Sequence, residues 1–240
     1  MKLQNDKGRL EKVTGPHGKW YGDACAAAFA MELIGERWSL PIVRELMMGA
    51  RRFTDIRASL PGLSAKTLTE RLETLEGLGI VNRRKLAPPI SAQVYDLSEW
   101  GRELEPVMQS LGRWAMRSAL HDPQLPLTAV SLMLSMRTML DQNAAEGLEL
   151  WVAFEVSDEH YAARLRGGEL SIHRAAERMP APDLRFTAPS ASDFLPVFYG
   201  KKTPQEAGGH MVIEGDPDLA RRFIGLFSLP SKLPGICPAA

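Results

Sequence analysis

Four consecutive residues, Ser64-Ala65-Lys66-Thr67, place two hydroxyls, a small apolar group and an ammonium at the head of a segment whose leucines recur every three or four positions. On the first turn of a helix such groups can hydrogen-bond base edges and phosphate oxygens, and they sit at the positive end of the helix dipole. Basic residues bracket the segment, with Arg51 and Arg52 on one side and Arg83, Arg84 and Lys85 on the other. Those positions suit phosphate contacts, which give affinity and register rather than sequence choice. The candidate nucleic-acid contacts are therefore Arg51, Arg52, Ser64, Ala65, Lys66, Thr67, Arg83, Arg84 and Lys85. At about 100° per residue, Lys66, Thr69, Glu70 and Glu73 lie opposite Leu68, Leu72 and Leu75. The two glutamates repel phosphate, so contact belongs to the first turn or two.

A polar turn can enter a groove only if its leucines are held in a core and another helix braces the backbone. The surrounding pattern predicts that framework. A helix starts at Asp23 as N-cap, carries Ala26, Phe29, Leu33 and Ile34, and ends at Gly35. A second, over 36–48, buries Trp38, Ile42, Val43 and Leu46, with Pro41 in or near its first turn. A third covers 53–59, Pro61-Gly62 turns the chain, and Ser64 caps the leucine helix. Residues 80–86 and 92–97 form a hairpin whose loop holds Pro88-Pro89. Ser98 then caps a long helix to residue 118 with Val107, Leu111 and Trp114 on one face. Residues 1–22, rich in glycine and without periodicity, form an arm.

The texture changes at HDPQLPL, 121–127, where two prolines interrupt the helical pattern. This divides the chain into the arm, a domain over 23–121 and a domain over 122–240. The second domain predicts an apolar helix over 128–141 and strands over 148–156, 160–165, 169–174, 183–187 and 209–214. Helices follow over 190–199 and 217–227. The expected class is α+β, with a mostly antiparallel sheet and helices on one face.

Bulk properties exclude several classes. The chain has 240 residues, 45% hydrophobic and 24% charged, and no apolar run long enough to span a bilayer. Its polar start lacks the apolar core of a secretory signal, so a cytoplasmic location is expected. Cys25 and Cys237 form no disulfide framework, and the five histidines share no ligand spacing, so neither metal nor cofactor is expected. Net charge is zero, yet residues 1–121 carry 18 Lys and Arg against 14 Asp and Glu, the remainder 11 against 15. Different partners for the two halves would fit that asymmetry. No nucleophile elbow, phosphate loop or Gly-rich dinucleotide turn is present, so an enzyme is not expected. In Asp158-Glu159-His160, neighbours on a strand face opposite sides.

The residues match a family pattern: Cys25, Gly35-Glu36-Arg37-Trp38, Leu46, Gly49-Ala50-Arg51-Arg52-Phe53, Leu63-Ser64, Leu68, Arg71-Leu72, Leu75, Gly79, Arg83, Tyr95-Asp96-Leu97-Ser98, Gly101 and Leu104. This part of the chain resembles the HxlR-type winged helix-turn-helix regulators of bacteria. The resemblance implies a homodimer, built by the 23–35 and 98–118 helices with Trp114 a contact, on a palindromic site in double-stranded DNA. It also raises Cys25, near a helix N-terminus, as a redox sensor, the alternative being a small packing residue. The tip of the hairpin, with Pro88-Pro89-Ile90-Ser91, departs from the family pattern.

More loosely, residues 127–229 resemble the sterol-carrier-protein-like fold. The signs are Ala181-Pro182-Asp183, Ser192-Asp193-Phe194, the 210–214 strand, and Gly215-Asp216 before a helix with Leu219, Phe223 and Phe227. That resemblance implies an apolar tunnel for a hydrophobic ligand, with Met133, Met136, Phe194, Phe198 and Phe223 as candidate pocket residues. Ordinary core is the alternative for each. The expected function is a dimeric, sequence-specific DNA-binding transcriptional regulator responding to a small hydrophobic ligand. A carrier of lipid-like molecules whose first domain mainly dimerises is the alternative, and so is a second domain that only dimerises.

Overall fold

In a computed structural model, residues 21–86 and 92–234 are described. The arm (but for its last two residues), the Pro88-Pro89 tip and Cys237 lie outside them. Two compact units result, one from residues 21–46 and 50–102, the other from 47–49 and 103–234.

The first unit begins with α1 (Ala26–Ile34), whose alanine-rich sequence favours a helix intrinsically. Cys25, not Asp23, occupies its N-cap, and the Asp23 carboxylate instead accepts the Cys25 N–H at 2.9 Å. Gly35 closes α1, where a Cβ would stand 2.3 Å from the Met31 carbonyl oxygen. Helix α2 (Ser39–Leu46) starts three residues later than the pattern predicts, because Trp38 has a φ of 80°. That leaves Trp38 half-buried and Pro41 in the first turn, where its missing N–H costs nothing. Helices α3 (Phe53–Ser59) and α4 (Ala65–Gly77) follow as the sequence predicts.

Gly79, at φ 74°, lets α4 end in two backbone bonds, Gly79 N–H to Glu76 and Ile80 N–H to Leu75. This turn delivers the chain into β1 (Val81–Lys85), which pairs antiparallel with β2 (Gln93–Leu97) from Val81↔Leu97 to Lys85↔Gln93. Ile42, Val43, Leu46, Ile56, Leu68, Leu72, Leu75, Val81 and Leu97 make the core, none more than 3% exposed. Each such side chain contributes about 1.5–3 kcal/mol of burial, so the leucine stripe decides how α4 is rotated.

The long helix predicted from Ser98 is two helices, α5 (Glu99–Arg102) and α6 (Leu104–Met116). Pro106 explains the break: it has no N–H for the Arg102 carbonyl, and its ring would strike that carbonyl in a continuous helix. The division between units also falls here, ahead of the 121/122 boundary drawn from composition. The reason is that α6 packs on α7 (Ala129–Met139), through Arg137–Glu105 at 2.9 Å and the Arg113 Nε–H to the Thr138 carbonyl at 3.0 Å.

In the second unit Thr128 caps α7, and Asp141 caps the short α8 (Gln142–Ala145). Five strands follow, β3 (Leu150–Val156), β4 (Glu159–Arg166), β5 (Glu169–Ala175), β6 (Leu184–Ala188) and β7 (Val212–Gly215). Their order is β5-β4-β3-β6-β7, with β3 and β6 the one parallel pair among the described residues. Gly167 and Gly168, at φ 59° and 76°, make the two-residue turn that fits the twist of the β4–β5 hairpin. A 3-10 turn leads into α9 (Phe194–Phe198), and α10 (Pro217–Gly225) closes the unit, capped by Asp216. Phe154 and Phe186 from the sheet pack with Phe194, Phe198, Phe223 and Phe227, ring centroids 5.0–6.3 Å apart. The α+β class and the mostly antiparallel sheet are as expected.

Candidate nucleic-acid interface

The first turn of α4 presents the polar surface that the leucine stripe requires. Leu68, Leu72 and Leu75 are at most 1% exposed, whereas Lys66 is 87% exposed on the opposite face. Ser64 caps the helix by accepting the Thr67 N–H at 3.1 Å, and its hydroxyl also meets that of Thr67 at 2.8 Å. Each hydroxyl keeps capacity for one more partner. Thr69 is turned back onto the helix, donating to the Ala65 carbonyl at 3.0 Å. Lys66 stands 3.9 Å from Glu70, an exposed pair worth little against a phosphate. An ion pair between Arg71 and Glu36, 2.9 Å, ties α4 to the segment ahead of α2.

The basic flanks divide into two kinds. Arg52 is exposed at the head of α3. On β1, Arg83 lies 3.3 Å from Glu76 and Arg84 3.1 Å from Asp96, with Lys85 exposed beyond them. Arg83 and Arg84 are about half exposed, so both can exchange a surface carboxylate for a phosphate at small cost. Arg51 is different and corrects the sequence expectation. It is 8% exposed, its guanidinium is 2.6 Å from the fully buried Glu45, and its backbone exchanges two hydrogen bonds with Tyr95 of β2. It holds the base of the hairpin rather than facing solvent. Sequence reasoning missed Glu45, which shows no charge signature distinct from a surface glutamate. It also missed Arg102, which shares Asp96 with Arg84 at 2.7 Å and adds an exposed cation beside the hairpin.

Of the remaining candidates, Cys25 is exposed at the N-terminus of α1, and the N–H groups of Ala28 and then Ala27 draw its thiol below the ordinary range. Met133, Met136, Phe194, Phe198 and Phe223 are each 0% exposed and lie in the core of the second unit. A cleft in that unit is lined by other residues, from α9 to α10. Among the described residues no three His, Cys, Asp or Glu side chains are grouped to hold a metal. No helix among them is long and apolar enough to cross a membrane.

Comparison with known proteins assigns the two parts of the chain separately. Residues 33–122 match the HxlR-like helix-turn-helix family, and residues 124–233 match the family described as alkyl sulfatase C-terminal. An uncharacterised HTH-type transcriptional regulator of Synechocystis is 42% identical over 36% of this chain and 64% of its own length. The HTH-type regulators YvaP and YodB of Bacillus subtilis are 37% and 40% identical, over 80% and 77% of their lengths. Each match takes in 36% of this chain. The structure of reduced YodB from B. subtilis aligns at 35% identity over 42% of this chain and all of YodB, with a TM-score of 0.38. By residues 33–122 and the relatives they match, the chain belongs to the HxlR-like helix-turn-helix family, whose named members here are transcriptional regulators.

Proposed function

We propose that the protein is a dimeric transcriptional regulator that reads a palindromic site in double-stranded DNA through the first turn of α4. One observation carries this most directly: Ser64 and Lys66 are exposed at a capped helix N-terminus whose leucines are wholly buried. Arg52, Arg83, Arg84 and Lys85 supply backbone contacts, and Arg51 is withdrawn from that set.

A dimer is supported by an apolar helix face exposed in the single chain. On α6, Val107, Leu111 and Trp114 form one stripe, 45%, 41% and 76% exposed. Apolar stripes of this kind mark association surfaces. With α4 repeated by two-fold symmetry, the two reading turns would lie about 34–36 Å apart. The domain assignment follows: an arm over 1–22, a DNA-binding and dimerising part over 23–121, and a ligand-responsive part over 122–240. Cys25, exposed and with a lowered thiol pKa, serves in this scheme as a secondary, thiol-based input.

The test is a gel shift on DNA from upstream of its own gene, comparing the unaltered protein with Lys66→Ala and Arg84→Ala. Both variants should bind at least tenfold more weakly while unfolding at the same temperature. Tight binding that survives both changes would remove α4 and the hairpin as the reading surface.

A further inference from the structure

We propose that residues 228–234 form a strap that widens the apolar face of α6, and that a second copy of this chain covers helix and strap together. The inference rests on the dimer reading. It extends that interface beyond the helices that the family resemblance implies, onto a segment that follows α10.

After α10 the chain is bonded to two other elements of its own unit. The Ser228 N–H donates to the carbonyl of Met139, the last residue of α7, at 3.3 Å. The Leu233 N–H donates to the carbonyl of Arg117, just past α6, at 2.8 Å. The Lys232 ammonium donates to the carbonyls of Ser118 and His121 at 2.9 and 3.3 Å. Carbonyls at a helix C-terminus lack partners within the helix and favour a cation, so the strap docks on α6 without help from any partner. Leu229 and Leu233 each precede a proline, which restricts both to extended backbone and leaves less entropy to lose on association.

Docking does not account for what the strap exposes. Leu229 and Leu233 are 46% and 49% exposed, and Leu120, three residues past Arg117, is 67% exposed. Leu233 is bonded one turn beyond Trp114, so these leucines carry the α6 stripe past the end of the helix. Of the thirteen large apolar side chains exposed among the described residues, six belong to α6, the turn after it and the strap. Single exposed apolar residues need no partner, whereas a concentration of this kind marks an interface. Area and continuity name the occupant. A stable interface covers about 800 Å² per partner. One face of α6, about 20 Å long and 10 Å wide, offers on the order of 200 Å². The strap, up to about 23 Å when extended, adds a row of similar length. Under two-fold symmetry the same patch serves both protomers, so whichever copy covers Trp114 meets Leu233 as well.

The experiment is sedimentation equilibrium of the full-length protein. Leu229→Glu with Leu233→Glu should raise the dimer dissociation constant at least tenfold, with the far-ultraviolet circular dichroism unchanged. Val212→Glu, which charges a valine 55% exposed on β7, should leave that constant unaltered. Hydrogen exchange on the unaltered chain gives a reading independent of any variant. Amides over 104–121 and 228–234 should exchange more slowly at concentrations that favour the dimer than at those that favour the monomer. Equal weakening by Val212→Glu, or strap amides indifferent to concentration, overturns the proposal. A dimer that Trp114→Ala weakens and the paired leucine change does not removes the strap and keeps the α6 face. A protein that sediments as a monomer at every concentration removes the dimer reading, and the strap with it.

Discussion

Arg51 and Arg52 are neighbours in sequence and opposites in structure, so the two side chains should fail in different assays. Arg51 is 8% exposed and pairs at 2.6 Å with Glu45, which is 0% exposed. Arg51→Met leaves that carboxylate buried with Arg44, itself 26% exposed, as a remaining partner. Breaking a buried pair costs roughly 3–5 kcal/mol, and the surviving Arg44 contact puts the expected loss near the lower figure. With a urea dependence of about 1–3 kcal/mol per molar, the unfolding midpoint should fall by about 1 M or more. Replacing both partners, Glu45→Leu with Arg51→Met, should recover most of that loss, because an apolar pair of similar volume is often neutral. Arg52→Ala should change stability by less than about 0.5 kcal/mol. Its signature is instead in the salt dependence of DNA binding, where losing one phosphate contact reduces the log–log slope by about 0.9. Urea melts followed by circular dichroism, and anisotropy titrations from 50 to 200 mM salt, read the two effects separately. An unchanged urea midpoint for Arg51→Met, or a reduced salt slope with the fold intact, would refute the structural role given to the pair.

Other expectations are as direct. Trp114→Ala should leave the protomer's unfolding temperature unchanged and weaken the dimer at least thirtyfold in sedimentation analysis, as truncating an interface aromatic costs about 2–4 kcal/mol. Ser64→Ala should cost about 1 kcal/mol by removing the α4 cap. Ser64→Asp should keep the cap and yet weaken DNA binding by repulsion of phosphate. Burial pushes the Tyr199 hydroxyl from 10.0 up to about 12, despite its hydrogen bond with Ser135. A raised folded-state pKa means full stability below pH 10 that declines as pH rises from 10 toward 12, and Tyr199→Phe should flatten that decline. Cys25 alkylation by iodoacetamide should show a midpoint below pH 9.0, and a midpoint at or above that value would contradict backbone stabilisation of the thiolate.

What the sequence reveals depends on how locally each feature is encoded. The leucine helix, its serine cap and the hairpin after it follow from spacing and capping alone, and all three stand in the structure. So does the Thr128-capped helix, with the strand pattern beyond it. The break at Glu103 was encoded as well, in Pro106, but an apolar face running on past the proline masks it. The burial of Arg51 was not legible, because the guanidinium, paired with Glu45 of α2, is closed in by a hairpin whose approach is a tertiary event. Apolar spacing likewise cannot distinguish a residue lining a hollow from one filling it. Phe194, Phe198 and Phe223 interlock because the sheet supplies Phe154 and Phe186 at matching heights, and the open space falls where Gly225 and Ala220 are small.

Helix α6 is fastened twice to α7, at Glu105 near its start and at Arg113 one turn before its end. Two anchors along one rod suppress independent pivoting, so its bare stripe takes its tilt from α7. Ser135, on the same α7, shares a hydrogen with Tyr199 just past α9 at 2.6 Å. A displacement at the end of α9 is therefore two side-chain links, Tyr199 to Ser135 and then the α7 anchors, from the rod that would meet a second protomer, and small angular changes there are magnified with distance along it.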